Sequence, residues 1–450
     1  MGATSDLVGF SLGLTNPPEQ VLRAATRHLI DTLGVVVAGL GQGVAAQLAP
    51  LQPEGGLPLP GRPGARAAAD HAYLCGTAAH GLELDDGYRE GSVHSGVAVV
   101  PALLVEALSR PVAGRDLLVA MAAGYETCCA VAATLHPALR DRGFHPTSTV
   151  GPLGAALGVA RLRGFDGALT ERALGLAASE AGGLFAFLGG GGEVKRLHGG
   201  LAARGGLMAA RLAEAGVTAP EGILERPSGY AQAFGGVAPG AFSLSLPPVA
   251  RWRMTDCYIK PHACCRHLQP AMEAMIAAQA KLGVTAEEVT GVEVETYSIA
   301  AAHAGTGWGD MATAQLSFPY VLAQALYKGR AALADFGAEA RGEGLAEALS
   351  PRLTIRASEE MDALYPGQRP ARVTVRAGDR SAEVFAPEAS GSPDIPVTDA
   401  AIEEKFLGLV APAVGDQAAA DWLRALWSIG TAQDAGAVLV GRVAELGLSD

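Results

Sequence analysis

The chain holds 450 residues, 49% of them apolar and 18% charged, with a formal net charge of -12. That length accommodates two or three domains, and the balance permits a large core and excludes general disorder. The acidic charge argues against a nucleic-acid partner, which calls for a basic face, and it requires any anion site to be a local positive cleft.

Taken in order, Pro17-Pro18-Glu19 predicts a helix start, with Val21, Leu22, Ala25, Leu29 and Leu33 recurring along it. Residues 30–40 continue it as an apolar, central segment. Residues 41–66 are rich in Gly and Pro and read as loop. Further helices are predicted over 67–84, 97–108, 114–135, 149–163, 170–187, 194–215 and about 220–225, with no strand alternation in the first 240 residues. Beyond 240 the composition changes. An irregular stretch leads to a helix over 268–282 and an alternating strand over 289–296. A helix over 312–328 and strands at 353–356 and 372–375 follow, the last pairing with 381–385 across Ala377-Gly378-Asp379. Residues 386–398 read as a linker and 399–447 as helices. The fold class is therefore mainly α with an inserted α+β domain. A helical domain covers 1–255, an α+β domain 256–390, and C-terminal helices over 391–450 return to the helical domain.

Aromatics make up only 5% and glycines number 59, a composition suited to closely packed helices. The six cysteines (75, 128, 129, 257, 264 and 265) include two adjacent pairs and do not read as a disulfide framework. No secretory leader pattern opens the sequence, and runs such as 33–40 and 97–108 are too short to span a bilayer. No membrane partner and a cytoplasmic setting are expected.

The chemistry concentrates between Gly143 and Gly200. His145 precedes Pro146-Thr147-Ser148-Thr149, a helix-start signal with hydroxyls placed to cap free backbone N–H groups. Lys195-Arg196-Leu197-His198 opens another helical run after four glycines. A helix start favours an anion, so together the two elements point to a pocket for a carboxylate-rich small molecule. His145 is the first acid/base candidate, since imidazole titrates near neutrality; a capping or packing histidine is the alternative. Lys195 and Lys260 lie in irregular segments and suit carboxylate neutralisation, or base work if desolvated; surface lysines are the alternative. Glu83, Asp85, Asp86 and His94 form an acidic group that is either functional or a solvated loop. Neither that group nor Cys257, His262, Cys264, Cys265 and His267 shows a metal-ligand spacing, so no metal is expected. Buried thiols lining a pocket, or one reactive thiol, are the readings left for the cysteines. The glycines at 189–192 match neither a Walker loop nor a dinucleotide fingerprint.

Several segments in order then carry a resemblance: HGLELDDGYREGSVHSG (80–96), GYETC (124–128), RGFHPTSTVGPLGAA (142–156), KRLHGGLAARGG (195–206), IKPHACCRHLQPAMEA (259–274) and AQLSFPYVLAQAL (314–326). The sequence resembles the MmgE/PrpD family over essentially its whole length. The resemblance implies a large helical domain with a smaller α+β lid domain, a homodimer, and chemistry without cofactor or metal. It implies proton handling beside a carboxylate of a small di- or tricarboxylate, foremost as a 2-methylcitrate dehydratase-like lyase. An iminodisuccinate-type epimerase, a decarboxylase and a non-catalytic carboxylate-binding protein are the alternatives. By the same resemblance His145, His94, Lys195, Lys260, Asp85 and Asp86 are expected to be catalytic; Glu83, Arg196, Cys265, Arg266 and Tyr320 are the residues expected to bind substrate. Glu83 stands where the family has Asp, Gly87 where Thr is frequent, and Cys264-Cys265 where dehydratases tend to have Ala-Glu. The Pro-x-x-Cys-Cys-Arg form looks more like the epimerase-type branch.

Overall fold

The computed structural model describes residues 2–188 and 193–441. The chain forms two compact units. The first comprises Met1–Gly81, Asp85–Ile259 and Thr398–Asp450, and the second Leu82–Leu84 and Lys260–Val397. The divisions thus fall at 259/260 and 397/398, against 255/256 and 390/391 from sequence, and three residues of the acidic loop go with the second unit.

The first unit is built on the helices Glu19–Leu40, Ala68–His80, Gly96–Ser109, Gly114–Leu135, Pro146–Arg163, Gly167–Ser179 and Val194–Glu214. Gly114–Leu135 is long and apolar enough to cross a membrane, contrary to the sequence reading, and 89% of its apolar window is buried within the protein. The abundance of small residues has a direct structural use. A Cβ added to Gly199 would lie 2.6 Å from the Gly76 carbonyl oxygen, and one on Gly76 would lie 2.8 Å from that of Gly199. The helices Ala68–His80 and Val194–Glu214 therefore touch backbone to backbone. The same device joins Gly114–Leu135 to Pro146–Arg163, where a Cβ on Gly124 or Gly154 would meet the other's carbonyl at 2.8 and 2.6 Å. The C-terminal helices Asp399–Val414 and Asp416–Trp427 return to this unit, where Lys405 pairs with buried Asp31 of Glu19–Leu40 at 2.6 Å. Residues 442–447 of the expected tail lie outside the described residues.

Five expectations need correction. Residues 41–66 are not all loop: they hold a helix, Gly43–Leu48, and a small antiparallel pair, β1 (Glu54–Pro58) with β2 (Ala65–Arg66). The helix read over 67–84 stops at His80 and the one over 170–187 stops at Ser179. Residues 220–225 form turns, and the helical turn comes later at Tyr230–Gly235. The helix read over 312–328 is two, Met311–Ala314 and Phe318–Lys328. Ser317 caps the second through its hydroxyl, and Pro319 in the first turn lacks the N–H that a continuous helix would use.

The second unit holds a four-stranded sheet of β3 (Gly291–Thr296), β4 (Leu353–Ala357), β5 (Ala371–Ala377) and β6 (Arg380–Ala386), in the order β4-β3-β5-β6. Only the β3–β4 pair is parallel. Val292, Val294 and Thr296 alternate with polar residues and are buried, as are Ala371, Val373 and Val375. This period of two gives the sheet one apolar face, covered by the helix Gln269–Leu282. The β5–β6 turn is tight, pairing Ala377 with Arg380, and Gly378 takes the left-handed conformation (φ +58°) that glycine permits.

Candidate functional site

In the first unit the chain gathers four imidazoles, two of them held by one carboxylate. His145 is the residue just before the helix Pro146–Arg163, and its N–H donates to the Gly183 carbonyl. Its ring is wedged between Phe185 and Phe187 at 5.5 and 5.2 Å between centroids. Its Nδ1 is 2.8 Å from the Nδ1 of His198, so one ring donates and the other accepts. His80, last residue of Ala68–His80, stacks on His145 at 5.7 Å and 21°. His94 stands 5.1 Å from His80, and its N–H donates to the Thr147 hydroxyl. The hydroxyls of the Pro146-Thr147-Ser148-Thr149 run therefore do not cap that helix as expected. Thr147 holds the His94 loop, and Thr149 donates back to the carbonyls of His145 and Pro146.

Asp85 is the hub. Its Oδ2 lies 2.6 Å from His80 Nδ1 and 3.0 Å from His94 Nδ1, while the main-chain oxygen of Asp86 lies 2.6 Å from the same His94 nitrogen. A carbonyl oxygen and an ionised carboxylate only accept, so Nδ1 carries a hydrogen on both rings, and on neutral His80 the lone pair sits on Nε2. Ligand atoms of His80, Asp85 and His94 fall within 4.8 Å of one another, a group that the sequence spacing did not reveal. Ligation through Nδ1 would need both rings in the other tautomer, with the hydrogen on Nε2.

Asp86 faces the other way. Its carboxylate accepts from Gly96 N at 3.1 Å and from the Tyr125 hydroxyl at 2.7 Å, with His28 Nδ1 at 2.9 Å. It fixes the start of the helix Gly96–Ser109 and leaves Asp85 to deal with the imidazoles. A Cβ at Gly87 would lie 2.4 Å from the Tyr258 hydroxyl, so that hydroxyl fills the space a side chain there would take.

Three of the imidazoles are held neutral. Burial pushes His80 down to about 4, against the pull of Asp85, and His94 and Lys195 add to the lowering. Burial, then His80 and Lys195, bring His198 to about 4. His145 lies well below the usual imidazole range, first from burial, then from His80, His198, Lys195 and His94. Each of these rings is thus a lone-pair carrier, a base rather than an acid, at neutral pH. Lys195 sits in the first turn of Val194–Glu214, half-buried, three residues before His198 on the same helix face. Arg196 is buried. The glycines at 189–192 lie outside the described residues.

The remaining sequence candidates belong to the second unit. Lys260 is buried and its Nζ lies 3.4 Å from Glu83 Oε2. Glu83 holds a left-handed backbone (φ +53°), a strained setting for a residue with a side chain. Arg266 anchors the loop at 388–390. Its guanidinium donates to the carbonyls of Ala389 and Ser390 at 2.7 and 2.6 Å and to Gln269 Oε1 at 2.7 Å. Tyr320 donates its hydroxyl to the Asp335 carbonyl at 2.6 Å. The Cys265 N–H donates to the Gln315 carbonyl. All six cysteines are buried thiols outside any disulfide, and burial pushes the Cys264 thiol up, away from the thiolate a nucleophile needs.

His80 and His198 belong to the candidate site but were not singled out from the sequence. Both signals were present: His80 ends a helix five residues before Asp85, and His198 follows Lys195 at helical spacing.

Among curated proteins, the chain is 28% identical over 433 residues to the cis-aconitate decarboxylase-like protein oryM of Aspergillus oryzae, covering 89% of this chain and 88% of that protein. It is 28% identical to cis-aconitate decarboxylase of Aspergillus terreus over 61% of this chain and 59% of that one. It is 30% identical to cis-aconitate decarboxylase of Homo sapiens over 52% of this chain and 49% of that one. The MmgE/PrpD N-terminal domain model matches residues 10–241 and the C-terminal domain model residues 262–428. With both family domains matched over most of its length, the chain belongs to the MmgE/PrpD family.

Proposed function

We propose that this protein is a lyase acting on a small di- or tricarboxylate, and that a neutral imidazole opens the reaction by taking a proton from the carbon next to a carboxylate. The observation that carries this reading is the cluster itself: His80, His145 and His198, all depressed below the usual imidazole range, beside the Lys195 ammonium. His145 is the base. The C–H bond breaks, its proton passes to the imidazole, and its electron pair moves into an enolate-like carboxylate that Lys195 stabilises. In a hydro-lyase the electron pair then returns to form the carbon–carbon double bond. The hydroxyl group leaves with a proton from His94, which Asp85 and the Asp86 carbonyl orient. Lys260, paired with Glu83, is proposed as a carboxylate-binding cation of the second unit.

A second reading is decarboxylation, favoured by the activity that the names of the relatives carry. There a carbon–carbon bond breaks, carbon dioxide leaves, and the electron pair is quenched by a proton from the imidazole cluster.

Proton NMR in deuterated buffer with methylcitrate, citrate, cis-aconitate and an iminodisuccinate-type compound tests both. Deuterium entry with loss of water supports the hydro-lyase, and loss of carbon dioxide supports the decarboxylase. Exchange with inversion and no mass change would show an epimerase instead. No exchange with any compound, together with unimpaired binding, would leave a carboxylate-binding protein and overturn the lyase.

A further inference from the structure

Among the described residues, the buried Nε2 of His80 has no hydrogen-bond partner. His80 is buried, its Nδ1 is taken by Asp85 at 2.6 Å, and its Nε2 is buried with nothing donating to it among the described residues. A buried acceptor left unmade is costly, and here it lies among the His94 and His145 rings and the charges of Asp85 and Lys195. The Asp85 contact fixes the hydrogen on Nδ1, so Nε2 offers a lone pair and no N–H. A carboxylate oxygen brought to it meets lone pair against lone pair. A hydroxyl brought to it makes a hydrogen bond.

We propose that His80 reads a hydroxyl group on the ligand: its Nε2 accepts that O–H, and the site thereby prefers hydroxy-polycarboxylates over polycarboxylates that lack the hydroxyl. The proposal rests on the polycarboxylate reading above for the rest of the ligand. The stacking of His80 on His145 puts the hydroxyl reader beside the base, so the group read and the carbon attacked belong to one end of the ligand. The low basicity of His80 keeps the lone pair available through neutral pH. Asp85 acts through His80, as a positioning residue that fixes the tautomer.

The test compares citrate with propane-1,2,3-tricarboxylate, which differs by the missing hydroxyl, using titration calorimetry on the full chain. Wild type is expected to bind citrate about tenfold more tightly, the fold-change that one net hydrogen bond is worth. His80→Asn keeps an N–H for Asp85 while removing the Nε2 lone pair. It is expected to abolish the preference, so that the two ligands bind alike. His80→Ala, with its thermal midpoint measured alongside, separates loss of fold from loss of the reader. Equal binding of the two ligands by wild type, a preference that survives in His80→Asn, or binding of neither ligand would overturn the proposal. Its failure is distinct from that of the lyase reading. Turnover of cis-aconitate with no hydroxyl preference removes the role of His80 alone, and a hydroxyl preference without deuterium exchange removes the lyase alone.

Discussion

At the residue scale, chemistry here is a matter of which nitrogen carries the hydrogen. Asp85 and the Asp86 carbonyl settle this for His80 and His94, and the His145–His198 contact requires one donor and one acceptor. His145→Ala and Lys195→Ala are each expected to lower kcat by about 10²–10⁴-fold, the usual reach of acid–base and charge-stabilising groups, with the thermal midpoint little changed. Turnover near wild type in both variants would reject the assignment. His145, His94 and Lys195 were legible in the sequence because each stands at an irregular junction. His80 and His198 were not singled out, because a histidine inside a small-residue helix reads as core until its neighbours in space are known.

At the element scale, glycine decides where the histidines meet. Gly199 lets Val194–Glu214 lie on Ala68–His80, and a Cβ there would also come within 3.0 Å of the His80 Cβ. Gly199→Ala is expected to cost about 1–3 kcal/mol in urea unfolding, as overpacking does. It should also depress kcat, because His80 moves against His145. Gly408→Ala is the control. That glycine is exposed, lies in Asp399–Val414 and has nothing within 4 Å of the place a Cβ would take, so alanine is expected to stabilise by up to about 1 kcal/mol. Equal effects at both sites would contradict the contact argument. Long helices such as Gly114–Leu135 were readable to the residue because apolar and small residues continue without interruption. The break at Ser317 and the strands β1 and β2 were not. A capping serine within an apolar run and a Gly/Pro-rich ladder both oppose the local pattern.

At the scale of the whole molecule, the buried neutral imidazoles link stability to pH. His80 and His198 fall from the usual 6.5 to about 4, and His145 falls well below 6.5. The unfolded chain therefore binds more protons than the folded one as pH drops below about 6.5. Their contribution is complete above that value and is lost progressively toward about 4. Glu126 works the other way. Burial raises it from 4.5 to about 7, so its contribution is complete below about 4.5 and fades as pH rises toward 7. Burial also lowers His71 to about 4 and raises Asp31 and Asp256, so four imidazoles stand against three carboxyls, which gives a net fall. The guanidinium midpoint is expected to decrease between pH 6.5 and 4.5, and a flat or rising midpoint would count against the neutral cluster.

The sequence by itself determined the helical first unit, the alternating strands of the second, and the family through motifs spread along the chain. Periodicity and composition act locally, and so they survive in a linear reading. Only the tertiary structure decided that Asp85 holds two imidazoles while Asp86, one residue on, turns to Tyr125, His28 and Gly96. It also decided that Arg266 and Tyr320 bind backbone carbonyls. Adjacent residues of like charge carry identical local signals, and only the packing of distant helices, through the glycines that let them touch, assigns each one its partners.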